Sequence, residues 1–259
     1  VGRKKICIFT AKKMIEILAE FHQRYGIEKD NIEEIVCGKK YLAVLLKNGQ
    51  LGVCATLNMD LSFDITNFDN LNLRLFSHRA FAQAYFNAVF NYQLEDPGMD
   101  IFEKLDFRQY KNIVMIGFFR SLVEKFKREH IPLQIFDKTE EDEILENMEN
   151  QMKAISTADI IILTSTSIFN NSFNEIYKNS KAEASIFMLG PSGIMHPAIF
   201  IHFPKIKWIF GARFAKKDYR VLDCIKAGKG TRSFLPYMQK MCYANPSNLM
   251  TTETQKLKK

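Results

Sequence analysis

The chain has 259 residues, 47% of them apolar and 25% charged, which is ordinary globular composition with apolar surface enough for a sizeable core in one large domain or two ordinary ones. Of the formal charge of +7, Arg3, Lys4 and Lys5 carry +3 and Glu253, Lys256, Lys258 and Lys259 a net +2, which leaves only +2 for residues 6–250. That distribution argues against the basic stripe of a nucleic-acid binder, and no run approaches the ~18 apolar residues of a membrane span.

The five cysteines, Cys7, Cys37, Cys54, Cys224 and Cys242, are odd in number and contain no C-x-x-C pair. This is the pattern of a reduced, cytoplasmic chain rather than of a disulfide scaffold. The start, Val-Gly-Arg-Lys-Lys, shows no apolar signal segment, so no signal peptide is expected.

Met14, Leu18, Phe21 and Tyr25 repeat as one face of a helix over 10–25, stopped by Gly26. Strands follow at 32–37, 41–46 and 50–56, and Asn48-Gly49 between the last two is a hairpin signal. Phe81, Tyr85, Val89 and Tyr92 mark a helix over 78–93. Asp96-Pro97-Gly98 reads as a turn, after which the period changes. Strands at 112–116, 133–136, 159–163, 185–189 and 207–210 then alternate with helices at 121–130, 139–154, 173–180 and 218–227. Alternation of this kind predicts a parallel sheet with βαβ crossovers. The fold class expected is α/β: a small α+β domain over 1–105, a Rossmann-like, mainly parallel domain over 106–245, and a loose tail over 246–259.

In such sheets ligands bind outside the carboxyl ends of the strands. Gly117 and Phe118 follow the first parallel strand, and Asp137 ends the second, 20 residues later, where a dinucleotide fold carries its ribose-binding acid. The loop has one glycine where the dinucleotide fingerprint has three, and Phe118 and Phe119 crowd the place of a pyrophosphate. Gly117 also serves as a plain strand-to-helix turn, and Asp137 as a solvated strand end. Thr164, Ser165, Thr166 and Ser167 offer uncharged hydrogen-bonding groups for a ribose, a carbonyl-rich heterocycle or a phosphate, or cap the next helix. Asn170 has the same two readings. Gly190-Pro191-Ser192-Gly193 sets a close-approach turn after a buried strand, with no G-x-S-x-G elbow to make Ser192 a nucleophile. His196 and His202 read as loop histidines, and no four-ligand zinc spacing occurs, so no metal is expected to be held by the protein. Cys37-Gly38-Lys39-Lys40-Tyr41 joins two first-domain strands and can bring a lysine or tyrosine to a cleft as acid or base. Asn87, a polar amide on an apolar helix, needs a partner if buried.

These strings together resemble the heavy-metal-chelation family of bacterial and archaeal domains of unknown function. The resemblance runs through residues 35–44, through Ala84-Tyr85-Phe86-Asn87-Ala88, through Ile113 to Phe119, and through Ala158 to Thr166 with Asn170. It continues in Met188-Leu189-Gly190-Pro191-Ser192, Phe210-Gly211-Ala212-Arg213 and Gly228-Lys229-Gly230. It implies an enolase-N-terminal-like domain before a Rossmann-like one, a cleft between them, and Arg213 among the ligand-binding residues. It also implies a link to metal-chelating small molecules such as pterin-, flavin- or siderophore-like compounds.

The reading is thus a small-molecule enzyme that condenses or hydrolyses a heterocyclic metabolite, with Lys39 or Asp137 moving the proton. Ligand contacts fall to Cys37, Gly38, Tyr41, Asn87, Gly117, Phe118, Thr164, Ser165, Thr166, Asn170, Gly190, Pro191, Ser192 and Arg213. Non-catalytic binding of a metal or metal chelate and a methyltransferase-like nucleotide-cofactor enzyme are the alternatives. The cofactor is unknown; the partners are a small-molecule ligand or metal chelate, with no nucleic acid or membrane, and a homodimer stays open.

Overall fold

The computed structural model describes residues 14–61, 71–94, 98, 100–138, 140 and 142–247. Expectations for Cys7, the first turn of the opening helix, Asp96-Pro97, Thr139 and the tail beyond Ser247 lie outside them. The class is α/β, as expected: among the described residues the chain forms a three-stranded antiparallel sheet and a six-stranded, mostly parallel one.

Helix α1 (Ile17–Tyr25) buries Ile17, Leu18 and Phe21, and Gly26, at φ +65°, ends it. The first sheet holds β1 (Ile32–Cys37), β2 (Tyr41–Leu46) and β3 (Leu51–Ala55) in that order. Asn48 Oδ1 accepts from Gln50 N, and Gly49 takes φ +86°, which turns β2 into β3. Every residue of β2 is buried, because both faces of this sheet are covered. Leu42, Val44 and Leu46 pack with Ala84 and Ala88 of α2 (Phe76–Phe90), while Tyr41, Ala43 and Leu45 pack with Val221, Leu222 and Ile225 of α8 (Tyr219–Lys226). The alternation is the period of two that a pleated strand imposes.

The second sheet contains β4 (Ile113–Ile116), β5 (Gln134–Phe136), β6 (Ile160–Thr164), β7 (Ser185–Leu189), β8 (Ile206–Phe214) and β9 (Met238–Ala244). Its order is β5-β4-β6-β7-β8-β9, with β9 antiparallel to β8. The short helix α3 (Ile101–Lys104) precedes β4, from which the chain steps outward to β5 through α4 (Arg120–Arg128), then back past β4 to β6 through α5 (Gln151–Thr157). The order therefore reverses between β4 and β6, the switch point at which open α/β sheets form a crevice. Helices α6 (Phe173–Asn179) and α7 (Pro197–His202) link β6 to β7 and β7 to β8.

Three elements differ from expectation. The acidic helix read at 139–154 starts only at Gln151, after a tight turn over Met148–Asn150. Upstream, side chains compete for the backbone: Asp137 Oδ1 accepts from Glu140 N, Asp142 Oδ1 from Ile144 N, and Asn147 Oδ1 from Glu149 N. His202 is not a loop residue, while His196 ends the loop before α7. His196 Nδ1 caps α7, accepting from Ala198 N at 3.2 Å, with Pro197 at the first helical position, and His202 closes the helix. The strand read at 207–210 runs to Phe214, where it pairs with the unread β9.

Candidate functional site

Strands β4, β6 and β7 are in register, with Ile116 opposite Leu163 and Thr164 opposite Leu189, so their carboxyl ends open at one level. Above them lies a cleft of about 1880 Å³. One wall is formed by Gly117, Phe118, Asp137, Thr164, Ser165, Thr166, Asn170, Gly190, Pro191 and Ser192. The lining also includes Tyr41 and Ala55 of the first sheet, Lys40 of its β1–β2 turn, and Lys229 to Ser233, which lead into α9 (Thr231–Phe234).

Gly117 sits at φ +100°, and a Cβ there would lie 2.8 Å from Thr164 Cβ, so both conformation and space require glycine. The Phe119 ring comes within 3.5 Å of that same position and 3.9 Å of the Cβ position on Gly190. Its edge fills the space between the two glycine turns. The Arg120 guanidinium lies 4.9 Å from the Phe118 ring centroid. Asp137 Oδ2 accepts from Phe118 N at 2.8 Å and Oδ1 from Glu140 N at 3.1 Å, so this carboxylate braces the turn it borders.

The Gly190–Gly193 turn is held from below by α2. Gln83, Asn87 and Asn91 recur every four residues, one above another on a helix, and all are buried. Gln83 Nε2 donates to Ser165 O at 2.8 Å and Ser192 O at 2.7 Å. Asn87 Nδ2 donates to Pro191 O and Gly193 O, and its Oδ1 accepts from Val53 N. Asn91 Nδ2 donates to Gly193 O and Ala212 O, and its Oδ1 accepts from Met195 N. One turn lower, Arg79 donates to Ile168 O and Phe169 O and pairs with Glu16 at 2.7 Å. Ser192 Oγ completes the clasp by accepting from Ala55 N at 3.0 Å. Gln83, Asn91 and Arg79 carry no site role in the sequence reading; their spacing of four on an otherwise apolar helix is the signal that marks them.

The candidate residues separate into two groups. Tyr41 reaches the cleft, bonded to Thr231 Oγ1 at 2.7 Å; burial, partly offset by that bond, pushes its phenol up to about 12. It is a neutral hydrogen-bonding group at physiological pH. Asn170 lies on the rim, with Oδ1 accepting from Ser172 N and Oγ. Thr164 Oγ1 and Thr166 Oγ1 bond each other at 2.9 Å, while the buried Ser165 Oγ has no partner among the described residues. Cys37, Gly38, Lys39, Asn87 and Arg213 do not line the cleft. Cys37 is exposed as a residue, but its Sγ donates to Leu61 O, and partial desolvation of the thiol, with Asp60 nearby, pushes it up. Gly38 lets α8 approach, since a Cβ there would stand 2.0 Å from Ile225 O. Lys39 carries the backbone carbonyl to which Thr56 Oγ1 donates. Asn87 lies beneath the Gly190–Gly193 turn. Arg213 bonds Gln239 and Leu94 O beside a separate depression of about 570 Å³.

Among the described residues no three His, Cys, Asp or Glu side chains are grouped so as to hold a metal ion. Cys54 and Cys242 are buried and Cys37 exposed, so they offer no shared soft-ligand set. No described helix is long and apolar enough to cross a membrane.

These features define a two-sheet α/β protein with a cleft at the strand ends of its larger sheet. The chain belongs to the DUF364 family, described as "Putative heavy-metal chelation", whose model matches residues 100–244; the DUF4213 model, with the same description, matches residues 20–92. The fold is similar to that of a DUF364 protein of unknown function from Pyrococcus horikoshii, at 20% identity and TM-score 0.68, over 82% of this chain and 92% of that one. It is similar as well to a DUF364 protein of unknown function from Desulfitobacterium hafniense, at 18% identity and TM-score 0.68, over 88% and 97% of the two chains. No curated protein matches the sequence.

Proposed function

We propose that the protein binds a small heterocyclic metabolite in an interdomain cleft and acts on it by condensation or hydrolysis. The observation that carries this reading is the convergence of three strand-end loops, at Gly117, Thr164 and Gly190, on one cleft that Tyr41 and Ala55 of the first sheet also line. At these loops Phe118 and Phe119 stand with the uncharged hydroxyl and amide groups of Thr164, Thr166, Asn170 and Ser192, which suits a flat, polar-edged ring. Asp137 is the acid–base candidate that reaches the cleft. Its Oδ2 accepts from Phe118 N and its Oδ1 from Glu140 N, bonds that hold the carboxylate beside the Gly117 turn at the cleft. The Phe119 ring, close to both glycine turns, takes the space a pyrophosphate would use and weighs against a nucleotide cofactor.

A second reading is non-catalytic binding of a metal chelate, favoured by the family description. With no grouped metal ligands among the described residues, the metal would arrive as cargo inside its organic chelator.

A thermal-shift screen of pterins, flavins, nucleotides, free divalent metals and preformed metal–siderophore complexes separates these readings, because ligand that binds only the native state stabilises it. A midpoint rise with a pterin or flavin, lost in Phe118→Ala, supports the first reading. A rise with the metal complex but not with its metal-free chelator supports the second. Stabilisation by nucleotides alone would overturn both.

A further inference from the structure

We infer that Lys40, Lys229 and Arg232 form an oxyanion subsite on the rim of the cleft, which takes the phosphate or carboxylate end of the small molecule. This deepens, and rests on, the small-molecule reading of the cleft.

The three cations come from two segments far apart in sequence. Lys40 lies in the turn between β1 and β2, and Lys229 and Arg232 in the segment from α8 into α9. The packing that joins them is tight. A Cβ on Gly230 would lie 3.2 Å from Lys40 Cδ and 3.8 Å from Lys40 Nζ, and one on Gly228 would lie 3.5 Å from Lys39 Cβ. One side-chain bond links the two segments, and Thr56 fixes the backbone of the first. Tyr41 OH and Thr231 Oγ1 lie 2.7 Å apart, and Thr56 donates to Lys39 O from its hydroxyl and to Lys40 O from its amide.

All three side chains are exposed and line the cleft. Among the described residues none of them has a carboxylate partner. Three other cleft cations do: Arg120 pairs with Asp142, and Lys125 and Lys240 pair with Asp100. Like charges on neighbouring side chains repel one another, and that cost is relieved when an anion sits among them. Two ammonium groups and a guanidinium fork suit a phosphate or carboxylate, and Thr231 and Ser233 add hydroxyls at the same edge. The small net charge of residues 6–250 argues against a polyanionic strand and for a small anionic group.

The test is calorimetric binding of inorganic pyrophosphate and of citrate to the full chain at low salt. Wild type should bind at least one of them, with affinity that falls as salt rises. Lys229→Ala/Arg232→Ala should lose about tenfold or more of that affinity, with its ligand-free unfolding midpoint unchanged and partial recovery in Lys229→Ala/Arg232→Lys. Lys226→Ala, which removes a cation paired with Glu34 outside the cleft lining, should bind as wild type does. Pyrophosphate alone would identify a phosphate end, and citrate alone a carboxylate end. The subsite is overturned if neither binds at millimolar concentration, if the double variant binds undiminished, or if Lys226→Ala costs as much. A heterocycle that binds where neither oxyanion does sinks the subsite and leaves the proposed function standing; oxyanion binding without any heterocycle does the reverse.

Discussion

The Asn87 amide donates to the Gly193 carbonyl at 2.6 Å across 106 positions of sequence. Through this bond a helix of the first sheet's layer sets the height of a strand-end turn in the second sheet. Asn87→Ala should leave Val53 N and Pro191 O buried without partners, while Asn91 still serves Gly193 O. The expected loss is about 2–5 kcal/mol of unfolding free energy, read by urea denaturation. A cost under about 1 kcal/mol would mean that the turn holds itself.

Gly52 tests how closely α2 sits on β3. A Cβ at Gly52 would fall 2.0 Å from Ala84 O and 2.4 Å from Ala88 N, both backbone atoms. Gly52→Ala should cost about 3 kcal/mol or more, because the helix must lift. Gly26→Ala adds a methyl with nothing within 4 Å and strains only φ, which should cost about 1–2 kcal/mol. Comparable denaturation midpoints for the two variants would contradict the packing described.

Asn170 divides its amide between two tasks. Its Oδ1 holds the residue before α6, and the side chain lies on the cleft rim. Asn170→Ala should lower stability by about 1 kcal/mol. Asn170→Asp keeps the accepting oxygens, so stability should hold while affinity for a screened ligand falls by about 1–3 kcal/mol. Unchanged affinity in Asn170→Asp would assign the residue to capping alone.

His196 predicts an acid limb in the stability profile. Burial, reinforced by Arg24 and partly opposed by Glu20, lowers its pKa below the ordinary 6.5. Its ring packs on Phe21, Tyr25 and Phe90, with Nε2 3.1 Å from Tyr25 OH and Nδ1 accepting from Ala198 N. The unfolded chain therefore takes up the proton first. Stability should be full above about pH 6.5 and fall as the pH drops toward the lower folded value. His196→Asn keeps an N-cap acceptor without a titrating ring, so thermal midpoints between about pH 6.5 and 5 should flatten. An unchanged slope would move the acid sensitivity elsewhere.

Local chemistry made much of the fold legible. Strands 32–37 and 41–46, the Asn48-Gly49 hairpin and the later strand–helix alternation depend on periods of two and 3.6 and on turn residues, all local properties. Side-chain competition for the backbone is local as well, yet the acidic run before Gln151 reads as helix by composition and folds as successive turns capped by Asp137, Asp142 and Asn147. The Gly117, Thr164 and Gly190 loops were placed at strand ends by sequence, and they do share a cleft. Asn87 was legible as an amide needing a partner. Gln83 and Asn91 were hidden because an apolar helix draws attention to its apolar face.

Sequence by itself determined the class, the carboxyl ends of β4, β6 and β7 to within a residue and the need for glycine at turns, because each follows from covalent geometry and short-range burial. Only the tertiary structure decided that Lys40 packs against Gly230 and lines one cleft with Lys229 and Arg232, that Arg213 and Lys39 do not line it, and that β9 closes the second sheet's edge. Those relations join residues far apart in the chain. Their register comes from the packing of α2 and α8 on either face of one small sheet, a constraint that no window of sequence contains.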